Sequence, residues 1–142
     1  MPEKETLERA REDKREGKSP STQAGEFVRE EIEHIREGKH GARSTKQAIA
    51  IGLSKARRAG VELPPSEGSS EETKEQAKRD LRKAGKKPSA TRSRATRKAL
   101  KKEGRSAASK EALSTQARKA ARKRSAASRS RSAKKAARTR KK

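Results

Sequence analysis

Large apolar side chains are so few in this sequence, and so unevenly placed, that they decide where it can fold. There are fourteen: Met1, Leu7, Phe27, Val28, Ile32, Ile35, Ile49, Ile51, Leu53, Val61, Leu63, Leu81, Leu100 and Leu113. Nine of them fall between Phe27 and Leu63, so a core able to offset chain entropy is expected there and nowhere else. Elsewhere, in a chain of 142 residues that is 43% charged and 26% hydrophobic, too little apolar surface remains for a compact domain. The expected fold class is therefore mostly α with extensive disorder: a short helical hairpin over about 21–60, a polar helix, and a long basic Ala/Lys/Arg/Ser tail.

The hairpin is written in its periodicity and its caps. Ala24, Phe27, Val28, Ile32 and Ile35 recur at spacings of three and four, which predicts an amphipathic helix capped by Ser21 or Thr22 and stopped at Gly38. Glycines in the run 38–43 allow the chain to reverse, and Ser44 with Gln47 forms a capping box for a second helix carrying Ala48, Ile49, Leu53 and Ala56. Lys55, Arg57 and Arg58 fill its last turn, Gly60 takes the left-handed stop, and Pro64 and Pro65 forbid continuation. Gly52 lies inside that helix, where it costs about 1 kcal/mol relative to Ala, so it is expected to admit a close neighbour.

Around this module, residues 1–20 read as a charged lead-in, a fraying helix or disordered, because Leu7 and Ala10 offer little to bury. Residues 64–85 read as a linker and a polar helix opened by Ser69 and Glu72, in which only Ala77, Leu81 and Ala84 can face anything. Residues 86–142 form the low-complexity tail, where like-charge repulsion is expected to hold the free chain open until it becomes helical on binding. A hairpin with so small a core is marginal alone, and a homo-dimer through residues 24–56 would complete it.

Charge names the class of partner. The tail holds 23 Lys or Arg against Glu103 and Glu111, a net +21 out of +23 for the chain. Such a polycation calls for a polyanion, with DNA favoured over RNA, and neutralises phosphates with release of counterions. The residues expected to do this are Lys86, Lys87, Arg92, Arg94, Arg97, Lys98, Lys101, Lys102, Arg105, Arg118, Lys119, Arg122, Lys123, Arg124, Arg129, Arg131, Lys134, Lys135, Arg138 and Arg140. Secondary contacts are expected from Arg43, Lys46, Lys55, Arg57 and Arg58 around the hairpin. Base reading is not expected, since the tail has no rigid anchor and Phe27 is the sole Phe, Tyr or Trp. A helix-turn-helix alternative would aim Thr45, Lys46 and Gln47 at bases, but the connection is long and a third helix is lacking. Two further readings use the same residues: an RNA- or ribosome-associated protein, and a helical docking module that the tail only localises. Glu30, Glu31, Glu33 and Glu37 give the first hairpin helix an acidic character, suited to clasping another subunit's tail or keeping the tail off the core.

Catalysis has no visible support. No Ser/His/acid group, glycine-rich phosphate loop or paired carboxylate in an apolar setting occurs, so no enzyme activity, cofactor or small-molecule substrate is expected. A metal site drawn from His34, His40, Glu33 and Glu37 lacks a stable pocket; two solvated histidines near a turn are the preferred reading, and no metal ligands are expected. Cysteine is absent, which excludes disulfides and thiolate sites. No apolar run approaches a membrane span and the first residues are too charged for a secretory signal, so a cytoplasmic protein without membrane contact is expected.

The run SerProSerThrGlnAlaGlyGluPheValArgGluGluIleGluHisIleArgGluGlyLysHisGlyAlaArgSerThrLysGlnAlaIleAlaIleGlyLeuSerLysAlaArgArgAlaGly, residues 19–60, resembles the core of an uncharacterised family of small basic bacterial proteins often labelled DNA-binding or histone-like. The likeness continues through Leu63, Pro64 and Pro65 into the tail. It implies a nucleoid-associated setting in a bacterium and supplies no catalytic or ligand residues.

Overall fold

Each helix of the hairpin begins where a hydroxyl can satisfy its first amides. In the computed structural model, which describes residues 2–65, 70–86 and 89–140, Ser19 caps α2 (Pro20–Arg36), its Oγ accepting from the Thr22 amide at 3.4 Å with Pro20 in the first turn. The cap thus lies two or three residues before the expected Ser21 or Thr22, since proline at the first helical position is preset for helix. Gly38, at φ +79, ends α2, with the Lys39 amide donating to the His34 carbonyl at 3.0 Å. Ser44 caps α3 (Thr45–Arg58) through the Gln47 amide, whereas the Gln47 side chain accepts from the Arg43 amide and not from Ser44. Gly60, at φ +101, closes α3, and Val61 folds back so that its amide reaches the Ala56 carbonyl at 3.0 Å.

α2 and α3 pack face to face around Ala24, Phe27, Ala56, Val61 and Leu63. Gly52 is the reason they come so near: a Cβ there would stand 2.6 Å from Val28 Cα, closer than real atoms approach. Val28, Ile49, Ile51 and Leu53 are only half-buried.

The expectation of extensive disorder is overturned at both ends. The lead-in forms α1 (Lys4–Arg15) and packs on α2, burying Thr6, Ala10 and Asp13. Polar contacts make up for its missing apolar ones, since Thr6 Oγ1 donates to Glu30 at 3.3 Å and Arg9 Nε to Glu26 at 3.0 Å. The polar helix is α4 (Glu71–Arg82), capped by Ser70 through the Thr73 amide; Ser69, the expected cap, lies outside the described residues. The described residues of the tail are helical too, in α5 (Ala90–Lys101), α6 (Lys110–Arg122) and α7 (Ala126–Arg140), with a 3-10 turn at Ser106–Ala108. Alanine, Lys and Arg are strong helix formers, and here their propensity prevails over like-charge repulsion, helped by caps such as Ser125 Oγ accepting from the Ser128 amide at 3.1 Å.

The chain divides into two compact units, Met1–Ser109 and Lys110–Lys142. The first runs beyond α4 and takes in α5 and the 3-10 turn. Gly41 donates to the Leu100 carbonyl at 2.8 Å, Ala42 to Gly104 at 3.0 Å and Thr45 Oγ1 to Ala107 at 2.7 Å, while Arg36 Nε reaches the Ala108 carbonyl at 2.9 Å. Gly41 is required there, because a Cβ would fall 2.1 Å from the Glu103 carbonyl oxygen. With α1, α4 and this returning segment in place, the cover that the bare hairpin lacked is supplied within one chain. Among the described residues there is no strand, and no helix is long and apolar enough to cross a membrane.

Candidate nucleic-acid interface

Ion pairing separates the cations of the two halves of the chain. Among the described residues, every ion pair lies at or before Asp80: Arg9 with Glu5 and Glu26, Lys18 with Asp13 and Glu16, Arg29 with Glu33, Lys39 with Glu37, Arg58 with Asp80, and others like them. Among those from Lys86 onward none is formed, because Glu103 and Glu111 are the only acids there. Lys86, Arg92, Arg94, Arg97, Lys98, Lys101, Lys102 and Arg105 are all exposed, as are Arg118, Lys119, Arg122, Lys123, Arg124, Arg129, Arg131, Lys134, Lys135, Arg138 and Arg140. Lys87 lies outside the described residues.

Helix geometry gathers these cations into stripes. On α5, Arg94, Arg97, Lys98 and Lys101 follow the i, i+3, i+4, i+7 spacing of one helix face; on α7, Arg131, Lys134, Lys135 and Arg138 repeat it. Such a stripe is about 10 Å long, equal to about three steps of a DNA strand along the duplex axis. α6 gathers Arg118, Lys119 and Arg122 at its carboxyl end, where the helix dipole favours cations. None of the three helices buries a residue, so the stripes stand free on helical supports.

The secondary contacts divide. Arg43 and Lys46 are exposed at the start of α3. Lys55, Arg57 and Arg58 turn inward: Lys55 pairs with Glu31, Arg57 donates to the Leu63 carbonyl at 2.8 Å, and Arg58 meets Asp80 at 3.2 Å. Burial pushes the Arg57 pKa down, partly opposed by the Asp80 charge. Thr45, which the helix-turn-helix alternative would present to bases, is buried beneath the Ser106–Ala108 turn.

Two carboxylates expected on an acidic surface are among the most buried groups in the molecule. Glu31 is 0% and Glu30 2% exposed, whereas Glu33 and Glu37 stay at the surface. Their positions, three and four residues after Phe27, lie on the buried stripe that continues to Ile35, and that spacing is the signal the sequence offers. Asp80 carries the same signal, three residues after the buried Ala77 and beside Leu81 on the inward stripe of α4. It is 1% exposed and accepts from Ser54 Oγ at 2.8 Å and Gln76 Nε2 at 3.0 Å besides Arg58, fastening α4 to α3.

The histidines are not solvated: the side chains of His34 and His40 are 13% and 11% exposed, with ring centroids 6.1 Å apart and edge-on. Their neighbours are not the expected Glu33 and Glu37, which engage Arg29 and Lys39. Ligand atoms of Glu31, His34 and His40 lie within 4.8 Å of one another, and a second group of Glu3, Glu30 and His34 shares His34. The His34 hydrogen bond foremost, and Lys39 next, hold the Glu3 carboxyl below its usual range.

Residues 13–67 match the model of a family of unknown function (DUF6496). This stretch takes in α2, α3 and the turn between them. No curated protein and no solved structure matches the chain.

Proposed function

We propose that the protein is a non-enzymatic, sequence-tolerant DNA-binding protein that works by neutralising phosphates with the cationic stripes of its carboxyl-terminal helices. The observation that carries this reading is the contrast in pairing: among the described residues, nine of the seventeen Lys and Arg before Asp80 are matched to carboxylates, whereas those from Lys86 onward face water outside any ion pair. Exposed cations of one sign attract a polyanion and release its counterions, which gives affinity with little regard to base sequence. Two features support the absence of base reading. Phe27, the only aromatic ring apart from the histidines, is 0% exposed and unavailable for stacking, and Thr45, at the start of α3, is buried with its hydroxyl donating to the Ala107 carbonyl.

Duplex is favoured because stripes on rigid helices match evenly spaced backbone charges, whereas single-stranded RNA is held chiefly through stacking that this chain cannot offer. Fluorescence anisotropy with labelled duplexes of unrelated sequence tests the proposal at physiological salt. Equal affinities are expected, with ribosomal RNA a weaker competitor than unlabelled duplex. Equal displacement by the two would leave DNA unfavoured, and a strong preference for one duplex would remove sequence tolerance.

A further inference from the structure

Glu31 and His40 face each other in a way that a neutral site does not explain. Glu31 is wholly buried; one carboxylate oxygen, Oε1, is held by the Lys55 ammonium. The other, Oε2, has no hydrogen-bond partner although His40 Nε2 lies 3.1 Å away. His40 Nδ1 is 2.9 Å from the Gly41 carbonyl oxygen, which can only accept, so Nδ1 carries the proton and Nε2 of the neutral ring presents a lone pair. Two lone pairs at that separation need a cation between them. A shared proton would require an N–H aimed at the oxygen, and the contact lacks that alignment.

A metal ion suits the spacing better. Ligand atoms about 2.0–2.2 Å from a tetrahedral Zn2+ lie roughly 3.3 Å from one another, near the observed separation. His34 brings a second imidazole into the same group. Its Nε2 is 3.0 Å from Glu3 Oε1; as donor to that carboxylate it leaves Nδ1 with the free lone pair. Both rings therefore carry the outer hydrogen bond that orients a ligating histidine, one to a carboxylate and one to a backbone carbonyl.

We propose that Glu31, His34 and His40 form a binding site for a divalent transition-metal ion of the Zn2+ type, which joins α2 to the turn on which residues 100–108 dock. Two imidazoles and one carboxylate select against Mg2+ and Ca2+, which prefer all-oxygen shells, and the lack of cysteine removes the thiolates that soft ions seek. Glu3 and Lys55 act as positioning residues, the first through His34 and the second through Glu31. The ion sits next to Gly41, whose amide holds the Leu100 carbonyl, so it stabilises the seat of the returning segment.

Isothermal titration of the metal-free full-length chain with ZnCl2, without nucleic acid, tests this. One Zn2+ per chain is expected, with the melting temperature raised by the ion and lowered again by a chelator. His34→Ala and His40→Ala should each weaken binding by more than about 100-fold, and Glu3→Gln by about 10-fold. These are the only two histidines, so Zn2+ binding that persists undiminished in the His34→Ala/His40→Ala double variant overturns the site. Should the variants fold poorly, Co2+ added to the unaltered chain decides: visible bands of a four-coordinate imidazole-bound ion support the proposal, and the spectrum of the hydrated ion overturns it.

Discussion

Residues 2–109 and 110–140 are built from the same kind of element and held by different means. Helices of the first unit are joined by small apolar contacts and by buried acids, each matched to a named donor: Glu30 to Thr6, Glu31 to Lys55, Asp80 to Ser54, Gln76 and Arg58. Helices of the second unit bury no residue and rest on alanine-rich propensity and local caps. The described cations of the second unit stand outside any ion pair, and so do those of α5, the first unit's own basic helix, so the change from paired to unpaired charge falls near residue 86 and not at the boundary between the units. A charge-rich chain can hold paired and unpaired cations apart in this way only if its acids are segregated, and 17 of the 19 precede residue 86.

This contrast can be broken most forcefully in the second unit. Replacing Arg118, Lys119, Arg122, Lys123, Arg131, Lys134, Lys135 and Arg138 by Gln should reduce the log–log salt slope of duplex binding by about 7, at about 0.9 for each phosphate no longer neutralised. Thermal unfolding of the first unit should shift by less than about 0.5 kcal/mol in the same variant. In the first unit, Phe27→Ala removes a ring that is 0% exposed and should cost about 3–5 kcal/mol in denaturant unfolding followed by circular dichroism. Asp80→Ala deprives Ser54, Gln76 and Arg58 of their common acceptor, and a destabilisation of about 2 kcal/mol is expected, together with faster amide exchange across α4. Gly41→Ala forces a Cβ into the Glu103–Gly104 backbone and should cost about 1–3 kcal/mol, with protease cleavage appearing first at residues 100–108. Leu113→Ala on α6 should change stability by less than about 0.5 kcal/mol, since that side chain is only half-buried.

What can be read in the sequence is local. Gly38, Ser44 and Gly60 mark helix ends because capping is settled within a few residues, and Gly52 announces a close neighbour because an interior glycine has an evident cost. Polar packing is hidden because it looks like solvated surface: nothing in Thr6, Glu30 or Asp80 taken singly says that its partner lies 24 or 22 residues away. The docking of Ala107 and Ala108 is hidden for the same reason, two alanines in an Ala-rich run pairing with Thr45 and Arg36. Like-charge repulsion argues for a disordered tail, whereas in α5, α6 and α7 helix propensity outweighs it. For the candidate interface, the stripes on α5 and α7 follow from spacing alone, but the inward turn of Lys55, Arg57 and Arg58 depends on the positions of Glu31, Leu63 and Asp80.

The central claim is that free cations after residue 86 hold duplex DNA by phosphate neutralisation. Its most direct measurement is the dissociation constant of the full-length chain for one duplex over a series of potassium chloride concentrations. With ~10 contacts, a straight log–log plot of slope about −9 is predicted. Affinity that does not change with salt, or no binding even in dilute buffer, would contradict it.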